Sequence, residues 1–241
     1  MTKSPKKSDL RTLGRALLGR APGFRDCQAA ILDTLIAAGE IRSLNNGEIL
    51  VQRGQRLDAM CMVLDGSMET SITRQDGHRQ LLSYLRPGDL VGIIGIIGLF
   101  DELGHVADLL ARRTATVMLI PGRVMRAMRA GHPEVIRACE YQIAFRSRML
   151  YDRLAADASM PVELRLGHLL ITFTSLYGLP RGNETLLDMK LSQADLADSL
   201  GVSRQRVNLA IKALQDLGLI RVRYSTVTIV DRTALSIYAN I

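Results

Sequence analysis

The chain of 241 residues has no tryptophan, only four phenylalanines, three cysteines and four histidines. Each scarcity removes a class of protein. Cys27, Cys61 and Cys139 are far apart and odd in number, which excludes a disulfide framework and fits a reducing cytoplasm. Without a CxxC pair or a histidine beside a cysteine, no metal site is expected. The histidines at 78, 105, 132 and 168 are too dispersed for the clustered ligands of a metal-dependent roll enzyme. Neither a P-loop nor a Ser-His-Asp arrangement is present, so the chain is not expected to be an enzyme. The longest apolar run, Leu90–Phe100, is about half a membrane span and is broken by Gly92, Gly95 and Gly98, so no membrane partner is expected. Nothing resembles a secretory signal.

What is present is a globular composition, 47% apolar and 23% charged, with room for two modest domains. The net charge of +7 is unevenly placed. Within residues 1–25, Lys3, Lys6, Lys7, Arg11, Arg15, Arg20 and Arg25 face a single acid, Asp9, and residues 1–23 are expected as a basic extension. Leu10, Leu13, Leu17 and Leu18 share one side of a helix there, which suits an auxiliary helix packed on the body or a solvated tail; a transit peptide would look similar. Residues 161–241 carry nine bases against seven acids, so bulk charge says little about nucleic acid and a motif must carry that reading.

The motif is Leu191–Asp231. Ser192 can cap a helix bearing Leu196, Ala197 and Leu200, Gly201 supplies a sharp turn, and Ser203 caps a second helix. Val207, Ala210, Ile211 and Leu214 form the apolar face of that helix. Arg204, Gln205, Arg206, Asn208, Leu209 and Lys212 are left to face outward. An apolar face toward the domain and polar groups near the N-terminus is the arrangement a DNA recognition helix needs, and a short hairpin follows as a wing.

Residues 24–130 show another pattern. Gly47, Gly54, Gly66, Gly77 and Gly88 recur every seven to twelve residues, the spacing of a β-sandwich or roll. Asp65-Gly66 and Asp76-Gly77 suit hairpin turns, with an alternating strand between them. Residues 131–160 then lack turn signals, and Ile136, Cys139, Ile143, Leu150 and Leu154 fall on one stripe of a helix about 40 Å long. The stripe suits a dimerisation rod, or packing on the roll itself, or both. Residues 161–241 complete the DNA-reading domain, with 178–183 expected as a surface loop. The fold class expected is therefore α+β: a β-roll (jelly roll), a long dimerisation helix and a C-terminal winged helix-turn-helix.

Three marks in this order, Leu64-Asp65-Gly66-Ser67-Met68, then Leu81–Leu85 with Pro87-Gly88-Asp89, then Ser203–Val207, make the chain resemble the cyclic AMP receptor protein and fumarate/nitrate regulator (CRP/FNR) family of bacterial transcription regulators. The resemblance covers about residues 24–235. It implies a cyclic-nucleotide-binding-like roll as sensor and a homodimer placing two recognition helices about 34 Å apart on double-stranded DNA. RNA polymerase is a candidate further partner. By the same resemblance Ser203 and Gln193 fall where family members touch phosphate, with Lys212 close to the backbone. Arg204, Gln205 and Leu209 take the base-reading positions. An arginine suits guanine and a glutamine suits adenine. The founding member carries other residues where this chain has Gln205 and Leu209, so its operator does not transfer.

The sensor departs from the family. Nucleotide-binding members follow Gly-Asp-x-x-Gly with a glutamate for ribose and an arginine–serine pair for phosphate. Here Gly88-Asp89-Leu90-Val91-Gly92 leads into Ile93 and Ile94, and the phosphate-gripping pair falls on Val106 and Ala107. The base-touching helix positions fall on Leu150 and Tyr151. Isoleucine, valine and alanine offer neither cation nor acceptor, so cyclic AMP binding is not expected unless Arg112 or Arg113 takes over the phosphate. No cofactor is expected and the effector is unidentified. Gly92, Ile93, Ile94, Val106, Ala107, Leu150 and Tyr151 either line an apolar effector pocket or fill it in a constitutively DNA-competent dimer. A haem- or redox-responsive member would use His105, His78 or Cys139; His105 is expected as a solvated loop residue and Cys139 as packing.

Overall fold

In the computed structural model, residues 6–73, 79–93, 104–155 and 159–240 are described, without side chains at 149, 150, 152–155, 175, 176 and 188–190. The Asp76-Gly77 turn, His78, Ile94 and the following glycines lie outside the described residues. Two compact units divide the chain, Met1–Arg146 and Ser147–Ile241.

The N-terminal unit opens with α1 (Lys7–Leu18), a 3-10 turn (Phe24–Asp26) and α2 (Ala29–Ala38). Among the described residues eight strands follow: β1 (Glu40–Leu44), β2 (Ile49–Val51), β3 (Ala59–Asp65), β4 (Met68–Thr73), β5 (Arg79–Leu85), β6 (Leu90–Val91), β7 (Asp108–Ala111) and β8 (Ala115–Pro121). They pair antiparallel into two sheets of order β1-β8-β3-β6 and β2-β7-β4-β5. The strand β3 shows how the layers form. Its period of two sends Cys61 and Val63 between the sheets, where they join Leu44, Val51, Met68, Leu109 and Val117. Met60, Met62 and Leu64 point the other way and meet Leu18, Phe24, Leu35, Met125, Val135 and Cys139 of the helices. With both faces covered, β3 reads as an unbroken apolar run rather than an alternating one.

From Lys7 on, the basic extension packs on the body. Gly14 lies against Met62, Leu64 and Met118, and Leu10 and Leu17 pack on the same core, while Leu13 remains exposed. Arg11 donates to the carbonyl oxygens of Ile36, Ala37 and Gly39 at 2.7, 2.8 and 3.1 Å, satisfying the open C-terminus of α2.

After β8 come α3 (Gly122–Gly131) and α4 (Pro133–Ala155). The expected helix of 131–160 thus begins at Pro133. His132 between the two helices is extended (φ −136°, ψ 104°), the conformation a following proline imposes. The 23 described residues of α4 span about 35 Å. Among the described residues no helix is long and apolar enough to cross a membrane.

The C-terminal unit holds α5 (Val162–Tyr177), β9 (Gly178–Arg181), β10 (Glu184–Lys190), α6 (Gln193–Leu200), α7 (Arg204–Asp216), β11 (Ile220–Arg223), β12 (Thr226–Ile229) and α8 (Arg232–Tyr238). The segment 178–183 is not the expected loop. It pairs Gly178–Arg181 with Glu184–Leu187 in a hairpin, turned at Gly182 with φ +61°. The sheet order is β11-β12-β10-β9. Leu166, Leu170, Leu187, Val207, Leu214, Ile229 and Leu235 are fully enclosed, each contributing about 2 kcal/mol by burial.

Candidate nucleic-acid interface and ligand cavity

The helix-turn-helix is fixed by hydrogen bonds local in sequence. The Ser192 side chain accepts from Asp195 N–H at 3.1 Å, and Asp195 Oδ2 accepts from Ser192 N–H at 2.8 Å, a reciprocal capping box at the start of α6. At the other end Gly201 takes φ +65° and its N–H returns to the Ala197 carbonyl, ending the helix without strain. Ser203 then caps α7 by accepting from Arg206 N–H at 3.4 Å.

At about 100° per residue, burial of Val207, Ala210, Ile211 and Leu214 leaves Gln205, Leu209 and Lys212 along the opposite ridge. Arg204 and Asn208 lie on one flank of that ridge and Arg206 on the other. All six side chains are exposed, as is Gln193 in the first turn of α6, and so is Ser203 at the cap. Leu209 is 64% exposed, which folding alone does not reward. These residues were expected together, and each of them is exposed. A further residue was not anticipated. Tyr224 at the tip of the β11–β12 wing is 95% exposed, and it and Ser225 have φ of +49° and +63°. The Ser225 carbonyl accepts from Leu191 N–H at 2.7 Å, which fastens the wing tip beside the start of α6. Exposure could not be inferred from a strand-like sequence, although a hairpin without glycine at its tip was visible.

In the N-terminal unit a cavity of about 140 Å³ is lined by Thr70, Leu82, Leu90, Val91, Gly92, Ile93, His105, Val106, Ala107, Gln142, Ile143 and Arg146. Two backbone irregularities shape it. The β4–β5 register slips between Thr70 and Ser71, leaving Leu82 as the extra residue of a bulge, and both Thr70 and Leu82 line the space. Gly92 has φ +93°, and a Cβ there would stand 2.5 Å from the Ala59 carbonyl oxygen.

Of the expected pocket residues, Gly92, Ile93, Val106 and Ala107 meet at this cavity, and Ile94 lies outside the described residues. Tyr151 is not on its wall and is 72% exposed; the side chain of Leu150 is not described. The α4 side chains that reach the cavity are Gln142, Ile143 and Arg146, earlier on the helix. Arg112 does not serve the cavity either. It pairs with buried Glu69 at 3.1 Å and lies over the Tyr84 ring at 4.6 Å, while Arg79 takes the other Glu69 oxygen.

His105 is not the solvated loop residue expected from its neighbours. It is buried, and its Nδ1 donates to the Ala107 carbonyl oxygen at 2.6 Å. The stripe proposed for dimerisation needs a similar correction. Cys139 is buried in the core of its own unit, Ile143 lines the cavity, Ile136 is half-buried, and the side chains of Leu150 and Leu154 are not described. An apolar stripe shows which side is covered but not by what, and here the roll covers it. Burial pushes the Cys139 thiol up to about 11 and that of Cys61 to about 12, so both stay protonated and pack as hydrophobes. Among the described residues no three His, Cys, Asp or Glu gather as metal ligands.

The roll, helix and winged helix-turn-helix, with a polar ridge on the second helix, define a DNA-binding transcription regulator. Comparison with known proteins agrees in both parts. A family model for the cyclic nucleotide-binding domain matches residues 41–132, and one for the Crp-like helix-turn-helix domain matches residues 164–238. The cAMP-activated global transcriptional regulator CRP of Salmonella typhimurium is 23% identical over 202 residues, covering 82% of this chain and 93% of that protein. The HTH-type transcriptional regulator Cmr of Mycobacterium tuberculosis is 26% identical over 227 residues, covering 93% of this chain and 84% of its own length. The structure of FixK2 from Bradyrhizobium japonicum is similar with a TM-score of 0.69 at 19% identity, covering 82% of this chain and 95% of that one. A CooA mutant from Carboxydothermus hydrogenoformans gives 0.70 at 17% identity, covering 89% and 91%. The chain belongs to the CRP/FNR family of transcription regulators.

Proposed function

We propose that the chain is a sequence-specific regulator that binds a near-palindromic operator as a homodimer, under the control of a small ligand other than cyclic AMP. It acts in the cytoplasm and carries out no catalysis. The observation that carries the DNA reading is the exposed ridge of α7, held by a capped turn and an enclosed apolar face. Arg204 reads a guanine, Gln205 with Leu209 favours an A·T pair with its thymine methyl, and Gln193, Ser203 and Lys212 hold phosphates.

Dimerisation uses the other side of α4. Tyr141, Ala144, Arg148 and Tyr151 are exposed at spacings of three and four, with Phe145 beside them, which is the seam of a two-helix coiled coil. Control by a ligand, rather than a permanently competent dimer, is favoured because Ile93, Val106 and Ala107 border a cavity instead of filling it.

Selection from a random duplex pool with the purified protein, followed by fluorescence anisotropy, tests the proposal. An inverted repeat whose enrichment depends on Arg204 is expected. Equal affinity and base preference in Arg204→Ala would remove the base-reading assignment.

A further inference from the structure

One charged side chain stands on the cavity wall. Arg146 is half-buried and donates to the Leu90 carbonyl oxygen at 2.5 Å. Among the described residues it forms no ion pair. A backbone carbonyl uses one of the five guanidinium donors and puts no anion in contact with the others. Asp89 lies within electrostatic reach, but its Oδ2 accepts from Arg86 N–H at 2.8 Å and closes the Pro87-Gly88 turn. The rest of the wall is mainly hydrocarbon, from Leu82, Leu90, Val91, Ile93, Val106 and Ile143. Gln142 has its amide NH₂ committed to the Pro22 carbonyl at 2.7 Å.

Size limits the guest. The cavity of about 140 Å³ compares with roughly 150 Å³ for an apolar cavity that holds benzene, and falls short of the roughly 300 Å³ at which pockets for larger ligands begin. A single ring fits; a purine nucleotide does not. Resting on the ligand-controlled reading above, we propose that the cavity binds a small organic acid, with one aromatic ring or a short branched chain among the aliphatic side chains and its carboxylate on Arg146. A carboxylate matches the planar fork of arginine with two parallel hydrogen bonds, and the apolar surroundings strengthen that pair relative to water.

Isothermal titration calorimetry of the full chain with phenylacetate, benzoate and 4-methylpentanoate tests this, with phenylacetamide as the neutral match and cyclic AMP as the competing class. The acids are expected to bind, with the amide weaker by about tenfold or more. Arg146→Gln should erase the preference for acid over amide while leaving amide binding near its original value, and Arg146→Lys should restore part of it. Val106→Phe, at an exposed position on the rim, should weaken acid and amide together without touching the charge. Equal binding of acid and amide, an unchanged preference in Arg146→Gln, or binding of cyclic AMP alone would each overturn the assignment, as would no binding by any probe. Anisotropy with DNA separates the two readings: acid bound with DNA affinity unaltered supports the cavity assignment and overturns control by ligand.

Discussion

The DNA-facing surface and the cavity are assembled in opposite ways. The first is drawn almost wholly from one helix, α7, whose apolar period fixes which side chains point outward. The second gathers residues from β4, β5, β6, the segment before β7 and α4, brought together by a bulge, a glycine and a helix that starts at a proline. A surface made by one element is inherited from local spacing. A cavity made by several depends on register and on how layers stack, and its polar anchor can sit far along the chain from its apolar wall.

The contrast can be broken at several points. The largest effect is expected in the core that supports α7: Leu214→Ala removes a fully enclosed side chain and should cost about 2–5 kcal/mol in denaturant unfolding, with loss of DNA binding. An unchanged midpoint would mean that α7 is not held by this face. Next is the surface itself. Arg204→Ala should weaken the preferred site by about 1–3 kcal/mol and relax one base position, whereas Lys212→Ala should weaken all sequences alike and reduce the salt slope by about one. If both variants behaved alike, the division into reading and holding residues would fail. In the roll, Gly92→Ala should cost about 2 kcal/mol, since the new Cβ meets a carbonyl oxygen and φ is positive; acid binding in calorimetry should fall with it. A stability equal to wild type would remove the role given to that turn.

Smaller effects sharpen the comparison. Tyr224→Asn should stabilise the wing by about 0.5 kcal/mol, because asparagine tolerates a positive φ more readily than tyrosine does. If DNA affinity falls while the melting temperature rises, the strained tyrosine has a DNA contact to explain it. Asp89 gives the smallest. Enclosure raises its carboxyl above the ordinary range, against the opposing Arg86 N–H bond and the charges of Arg146 and Arg86. A raised acid favours the fold most below its unfolded value, and that contribution is lost as pH rises through the folded one. Asp89→Asn should therefore gain on wild type from acid toward neutral pH in thermal melts, and a flat difference would contradict the shift.

Much of this was legible from sequence, for a physical reason that differs by region. The caps at Ser192 and Ser203 and the turn at Gly201 depend on neighbours a few residues away, so spacing was enough. Gly92, Ile93, Val106 and Ala107 were named from a break in family pattern, not from geometry. Arg146 was missed because nothing local distinguishes an arginine on an amphipathic helix from a solvated one. For Cys139 and Ile143 the sequence left both a partner helix and the roll open, because a stripe carries no label for what lies across it; the roll covers them. His105 was misjudged because its burial comes from loop packing, with its N–H held by Gln55 and Gly54 N–H held by its carbonyl, both at 2.8 Å.

The twin-sided strand β3 has a consequence for how this chain can change. Its odd positions, Cys61 and Val63, face the other sheet, and its even ones, Met60, Met62 and Leu64, face the helices. Deleting one residue would exchange these two audiences, pushing flexible methionines into a tight interior and small side chains into a wide one. Point substitutions that respect size on each side can accumulate here, but length cannot vary. Among relatives, insertions and deletions should therefore border this strand and never enter it, making it a ruler against which the rest of the roll can be measured.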